Sequence, residues 1–263
     1  MSPEVIAELS MYPAPTAVGS AYQRWLEETL HLLGIQRRDN WQGSLHELWL
    51  HPRLLLAQTC GFPLVTELKK QVRVVGRPCF TLPGASAGQH RSLLLVRRDD
   101  LRQSLPEFFD CRGAYNSIDS NSGMNLLRHA LIPHVRDGRF FKRLVATGSH
   151  RQSIAHVVRD EADLAAIDSV TFAYLARHAP SEVAGLRVLA RTADAPTLPF
   201  ITGFQGPEPE SIRAALNAAL ANLPEVAEVL GIVTVQQTAL DDYNLLLGYR
   251  DESRRVITQN ELW

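Results

Sequence analysis

The sequence predicts an α/β protein organised as two lobes. Three observations carry that expectation. Strand-like and helix-like segments alternate along the chain. Short uninterrupted apolar runs, Val72–Val75 and Leu93–Val96, have the character of strands covered by helices on both faces. The middle third is bracketed by a charged connector, Arg97–Arg102, and by a stiff proline crossover, Ala195–Phe200. The bracket assigns residues 1–97 and 197–263 to a discontinuous first lobe and 98–196 to a second, joined by two crossovers.

Each element has a local reason. Val5–Met11 alternates apolar and polar residues and ends in Met-Tyr-Pro, a first strand that delivers Tyr12 to a loop. Ser20 and Gln23 form a capping box, and Tyr22, Trp25, Leu26, Thr29, Leu30 and Leu33 make one apolar stripe before Gly34 stops the helix. Trp41, Leu45, Leu48 and Trp49 extend the core. The apolar run from Leu54 passes into Gln58, Thr59, Cys60 and Gly61, which either present one wall of a site or close the element in a Gly-Pro turn.

Residues 113–127 are the stretch richest in chemistry. Tyr115 and Asn116 lead through Ser117, Ser120, Asn121, Ser122 and Gly123 into an apolar pattern of Met124, Leu127 and Leu131 at helical spacing. The first amides of a helix lack intrahelical partners, so a helix entered through hydroxyls offers N–H and O–H donors to an anion without a formal charge. An ordinary N-cap uses the same residues. A second helix start carries Ser149, His150 and Ser153 ahead of Ile154, Val157 and Val158. The dipole there favours an anion and disfavours an imidazolium. Leu164–Ile167 reads as a strand with Asp168 at its carboxyl end, where open α/β sheets bind ligands and where an N-cap also belongs. Leu186–Arg191 is a further strand, Ser211 caps a helix bearing Ile212, Leu216, Ala219, Leu220 and Leu223, and Asp241–Leu246 docks the end of the chain.

Composition excludes several classes. A chain of 263 residues, 45% hydrophobic, can bury one large or two modest cores. Lys and Arg total 27 against 28 Asp and Glu, dispersed along the chain, so nucleic acid is not an expected partner. Cys60, Cys79 and Cys111 match neither a zinc spacing nor a disulfide framework and are expected to be reduced, mostly buried thiols, Cys60 being structural and not nucleophilic. His46 and His51 do not share a helix face, so no metal is expected, and no cofactor is called for. The sequence as read shows no signal peptide and no long apolar run, which gives a cytoplasmic expectation, periplasmic if a leader was removed, and no membrane insertion.

Taken in order, Tyr12, Gln58-Thr-Cys-Gly-Phe-Pro, Ser120-Asn-Ser-Gly-Met, Gly148-Ser-His-Arg-Gln-Ser, Ala162-Asp-Leu-Ala-Ala-Ile-Asp and Leu198-Pro-Phe-Ile-Thr make the chain resemble the PhnD-like family of phosphate/phosphonate ABC-transporter substrate-binding proteins. The resemblance runs from about residue 7 to about residue 205. It implies a type II periplasmic-binding-protein fold whose lobes close on a small oxyanion, a phosphate or phosphonate compound, and an ABC permease as partner. It also implies a ligand set of Tyr12, Thr59, Tyr115, Asn116, Ser120, Asn121, Ser122, Gly123, Ser149, His150 and Asp168, with Ser120 and Ser122 holding the oxyanion and no catalytic residues. Two other readings share the fold. One is an enzyme of the chorismate dehydratase-like or pyrimidine-precursor synthase kind, which needs His150, Asp168 and Cys60 to converge. The other is a ligand sensor acting in trans.

Overall fold

The computed structural model describes residues 5–36 and 41–258. The chain forms two compact units, Met1–Gln89 with Pro196–Tyr243 and His90–Ala195 with Asn244–Trp263. We call them unit 1 and unit 2.

Unit 1 opens with β1 (Ile6–Glu8), shorter than the alternation over Val5–Met11. α1 (Thr16–Leu32) begins a turn before the expected capping box: Pro15 is its N-cap, and Ser20 lies inside the helix. Proline fixes φ and gives up an N–H that the first turn does not use, so Pro13-Ala-Pro15 sets the start more firmly than Ser20. Gly34 ends α1 at φ +68°, a left-handed conformation suited to glycine. Trp25, fully buried on its stripe, donates from Nε1 to the Leu216 carbonyl at 2.9 Å and meets Phe200 edge-on at 5.4 Å. α2 (Leu45–Trp49) is closed by a capping box of Ser44 and Glu47 and buries Leu48 and Trp49. β2 (Leu54–Gln58), buried throughout, runs parallel to β1. α3 (Gly61–Pro63) and a wider turn, Leu64–Leu68, lead to the long β3 (Val72–Leu82), β4 (Ala85–Ser86) and β5 (Gln89–His90), where the chain leaves unit 1.

In unit 2 the chain forms β6 (Ser92–Arg97), β7 (Arg112–Tyr115), α4 (Leu126–Leu131), β8 (Arg143–Ala146), α5 (His150–Val158), β9 (Leu164–Asp168), α6 (Ser169–His178) and β10 (Leu186–Arg191). The sheet order is β10-β6-β9-β7-β8. Its centre is apolar on both faces: Leu93, Leu95, Ala165 and Ile167 join one core cluster, while Leu94, Val96, Leu164 and Ala166 join the other. That period of two explains why these strands read as continuous apolar runs. β7 is parallel to β8 and β9, whereas β6 is antiparallel to β9 and β10. The carboxyl ends of β7, β8 and β9 and the amino end of β6 therefore share one edge.

The charged stretch after Arg97 was expected to join the lobes, but β6 pairs on both sides within unit 2 and Arg102 turns back to Asp100 at 2.6 Å. The passage between units falls earlier, at 89–90. The chain returns through β11 (Ala195–Pro196) to β12 (Phe200–Gly203), which lies antiparallel between β2 and β3. α7 (Pro209–Asn222) starts at Pro209 behind Glu208, not at Ser211, again because proline suits the first helical position. α8 (Pro224–Leu230) ends at left-handed Gly231, and β13 (Ile232–Gln236) pairs with the second half of β3. Gly76 is required at this meeting: a Cβ there would stand 2.7 Å from the Gln236 carbonyl oxygen.

A third passage follows Tyr243, and α9 (Leu245–Val256) belongs to unit 2, although the sequence reading gave the tail to the first lobe. The fully buried Asn125 amide donates to the Leu246 carbonyl at 3.1 Å, and Ile257 packs on Met124. Both anchors come from the middle of the chain, and neither shows in the tail's own pattern.

Candidate functional site

Three loops and one strand start meet at the shared edge of the unit 2 sheet. After β7, the Tyr115 carbonyl accepts from the Thr147 amide (2.8 Å) and hydroxyl (3.0 Å), and the Asn116 carbonyl accepts from the Gly148 amide at 2.9 Å. The loops following β7 and β8 are thereby joined. Ser120 is the N-cap of the next turn, its Oγ accepting from the Gly123 amide at 3.0 Å. The Asn125 amide reaches the Ser120 carbonyl five residues back, at 3.0 Å, which opens the turn wider than an α-helix; such turns occur often at functional sites. Asn121, Ser122 and Gly123 are buried within it. A Cβ on Gly123 would fall 1.7 Å from Asn116 Oδ1, so glycine is what allows the Asn116 side chain to lie across the turn.

Ser122 is the junction of the edge. Its carbonyl accepts from Ser92 Oγ on β6 at 2.7 Å, and its own Oγ is 2.9 Å from His150 Nε2 at the start of α5. Ser149, the exposed N-cap of α5, spends its oxygen on the Gln152 amide at 3.2 Å. Asp168 lies at the carboxyl end of β9 and also caps α6: Oδ2 accepts from the Thr171 amide and hydroxyl, each at 3.2 Å. Its Oδ1 is 2.7 Å from His90 Nδ1. Both oxygens are thus engaged within unit 2.

Burial alone would raise the Asp168 carboxyl. The charge and hydrogen bond of His90, the charge of His150 and the Thr171 amide outweigh it and hold the pKa at about 2, so Asp168 is a carboxylate. His150 is pushed below the ordinary imidazole value, first by burial and then by His90, while Asp168 pulls the other way. His150 is accordingly neutral at pH above its lowered value.

Tyr115, Asn116, Ser120, Asn121, Ser122, Gly123, Ser149, His150 and Asp168 all belong to unit 2. Tyr12 and Thr59 belong to unit 1, where they follow the parallel strands β1 and β2 and so share an edge of that sheet. Tyr12 is buried and stacks on Tyr22 at 6.0 Å. Thr59 is buried, with its amide on the Pro199 carbonyl (3.0 Å) and its hydroxyl on the Cys60 carbonyl (3.3 Å). None of the three cysteines forms a disulfide; Cys60 and Cys111 are buried and Cys79 is partly so. The sequence reading missed His90. A search of strand carboxyl ends overlooks a residue ahead of an antiparallel strand, and the available signal was an imidazole two positions before the apolar β6.

Among the described residues no group of His, Cys, Asp and Glu is placed to hold a metal ion, and no helix is long and apolar enough to cross a membrane.

The family model described as "ABC transporter, phosphonate, periplasmic substrate-binding protein" matches residues 57–243. A binding-protein component of an ABC phosphonate transporter from Pseudomonas aeruginosa superposes with a TM-score of 0.80 at 14% identity, over 97% of this chain and 87% of that one. PhnD1 from Prochlorococcus marinus, solved with methylphosphonate, gives 0.73 at 13% identity over 93% and 96%. MatC from Rhodopseudomonas palustris, solved with malate, gives 0.60 at 14% identity over 97% and 98%. At these identities the likeness establishes the periplasmic-binding-protein fold alone. No curated protein matches the sequence.

Proposed function

The chain belongs to the family of periplasmic substrate-binding proteins of phosphonate ABC transporters, and from that premise we propose that it captures a small oxyanion, a phosphate or phosphonate compound, at the loop edge of unit 2. The observation that carries the reading is the 2.9 Å contact between Ser122 Oγ and His150 Nε2, which links the loop after β7 to the first residue of α5. In the tautomer with the proton on Nε2, neutral His150 donates to Ser122 and leaves the serine hydroxyl hydrogen free for an anion. Hydrogen bonds arranged in such a chain polarise one another.

Ser120, whose oxygen already accepts from the Gly123 amide, keeps its hydroxyl hydrogen for the same use. Hydroxyls and helix-start amides together stabilise a phosphoryl group without Lys or Arg, because each bond to an ionised acceptor is about twice as strong as a neutral one. Tyr115, Asn116, Asn121 and Gly123 shape the turn that presents these donors, and Ser149 fixes the start of α5. Family membership supports a permease as partner and the periplasm as place of work. It is a family of binding proteins, which supports capture and release without turnover.

The fold also accommodates a carboxylate ligand in MatC, so the test must separate anion classes. A thermal-shift screen of methylphosphonate, aminophosphonates, phosphate, phosphite, sulfate and malate is run on wild type, Ser122→Ala and His150→Ala. A phosphonate or phosphate at a hundredfold excess over its dissociation constant should stabilise wild type by about 2.7 kcal/mol. Loss of a hydrogen bond to a charged group costs about 1.5–3 kcal/mol, so each variant should bind roughly ten- to a hundredfold more weakly. Stabilisation by malate alone, or by no phosphorus oxyanion, overturns the proposal.

A further inference from the structure

We propose that His90 contacts the bound anion directly, presenting Nε2–H as an imidazolium held by Asp168, so that the protein takes up a proton as it binds a doubly charged phosphonate. This rests on the phosphonate reading above and assigns the charge state that the site selects.

Topology places His90. It ends β5, one residue ahead of the strand β6, whose amino end lies beside the carboxyl ends of β7, β8 and β9, and Ser92, two residues on, is in register with Asp168. Ser92 is itself fastened to the Ser122 carbonyl at 2.7 Å. His90 is 1% exposed; its Nδ1 is 2.7 Å from Asp168, and its Nε2 is buried with no hydrogen-bond partner among the described residues. Buried polar atoms are satisfied in the great majority of cases, and an exception oriented by a carboxylate has the arrangement of a ligand-binding or catalytic imidazole.

The groups facing His90 decide its charge. Asp168 comes from the end of β9, and His150, at the start of α5, lies close enough for the two imidazoles to disfavour a second positive charge. Arg91, next in the chain, is paired with Asp194 at 2.7 Å. With His90 neutral, the carboxylate leaves the pair at one negative charge, which repels an incoming anion. With His90 protonated, the pair is neutral overall and offers a charged donor at Nε2. A dianion therefore favours the protonated form, while His150 remains neutral and keeps its bond to Ser122. The two imidazoles divide the work: one supplies charge, the other orients a hydroxyl.

The experiment is calorimetric titration of methylphosphonate into wild type and His90→Gln, in two buffers of different ionisation enthalpy. It is run near about pH 6 and about pH 8, on either side of the ordinary imidazole value. Gln keeps a donor of similar reach but cannot take up a proton, and the ligand's own titration is common to both proteins. The expected result is a proton uptake at the higher pH that is larger in wild type than in the variant, with about tenfold or greater loss of affinity in the variant. Nitrogen NMR of the wild-type imidazoles covers the case in which the variant does not fold: one ring should become doubly protonated on saturation with methylphosphonate. Equal affinity and equal uptake in both proteins, or wild-type rings unchanged on saturation, overturns the role of His90 and leaves phosphonate capture standing. If wild type binds no methylphosphonate, phosphate or phosphite at all, the functional reading falls and takes this inference with it.

Discussion

Asp163 ties the edge of the unit 2 sheet opposite the loops, and replacing it separates stability from ligand capture. Its carboxylate accepts from Arg112 Nε (3.1 Å), Nη2 (2.8 Å) and the Arg112 backbone amide (2.8 Å), with Arg97 and Arg102 each 3.6 Å away. Burial by itself raises the carboxyl pKa. The Arg112 contacts, followed by the Arg102 charge, outweigh it and leave a value of about 2. Against an unfolded value of about 3.9, a depression of roughly two units at about 1.4 kcal/mol per unit amounts to about 2.5 kcal/mol. The folded-state pKa is the lower one, so this contribution is fully present above the unfolded value and is lost as pH falls through the folded one. Asp163→Asn keeps the shape and removes the charge. In urea unfolding followed by far-UV circular dichroism, the variant should be about 2 kcal/mol less stable than wild type near about pH 7, the gap narrowing below about pH 4 and closing near about pH 2. Affinity for methylphosphonate should not change, because Asp163 precedes β9 and the loops follow it. A gap of equal size at both ends of the pH range, or none at neutral pH, refutes the argument.

Two further outcomes test the geometry. Gly123→Ala places a Cβ where Asn116 Oδ1 now sits, 1.7 Å from it, so Asn116 must leave the turn. The variant should fold with a loss of about 1–3 kcal/mol and bind methylphosphonate at least about tenfold more weakly by calorimetry, and unchanged affinity would show that the turn does not hold the ligand. Burial, and after it the charge of Asp163, pushes the Cys111 thiol up to about 12. A water-soluble thiol reagent at about pH 8 should therefore leave Cys111 unmodified in the native protein and label it only after denaturation, as read by mass spectrometry; rapid native labelling contradicts the burial.

Much of this protein was readable from residue order alone. Leu93–Val96 and Leu164–Ile167 announce strands covered on both faces because the same alternation feeds two apolar clusters. Gly34 announces a helix end because left-handed backbone favours glycine. Ser120 and Ser149 announce helix starts because their oxygens satisfy amides three residues on. These are short-range effects, and short-range effects are written in adjacent residues.

Other features depended on partners distant in sequence. Ser20 reads as a cap until the prolines ahead of it fix an earlier start. The tail from Asn244 reads as part of the first lobe until Asn125 claims the Leu246 carbonyl. Asp168 reads as a strand end and a helix cap, and only the fold brings His90, 78 positions earlier in the chain, to one of its oxygens. His90 itself became visible through the direction of β6: the chain enters an antiparallel strand at the edge where its parallel neighbours end. The sequence by itself determined the apolar central strands of unit 2, the caps at Ser120 and Ser149 and the family. Tertiary structure decided which polar groups are already engaged and which nitrogen is left over, because hydrogen-bond satisfaction is settled between segments and not within them.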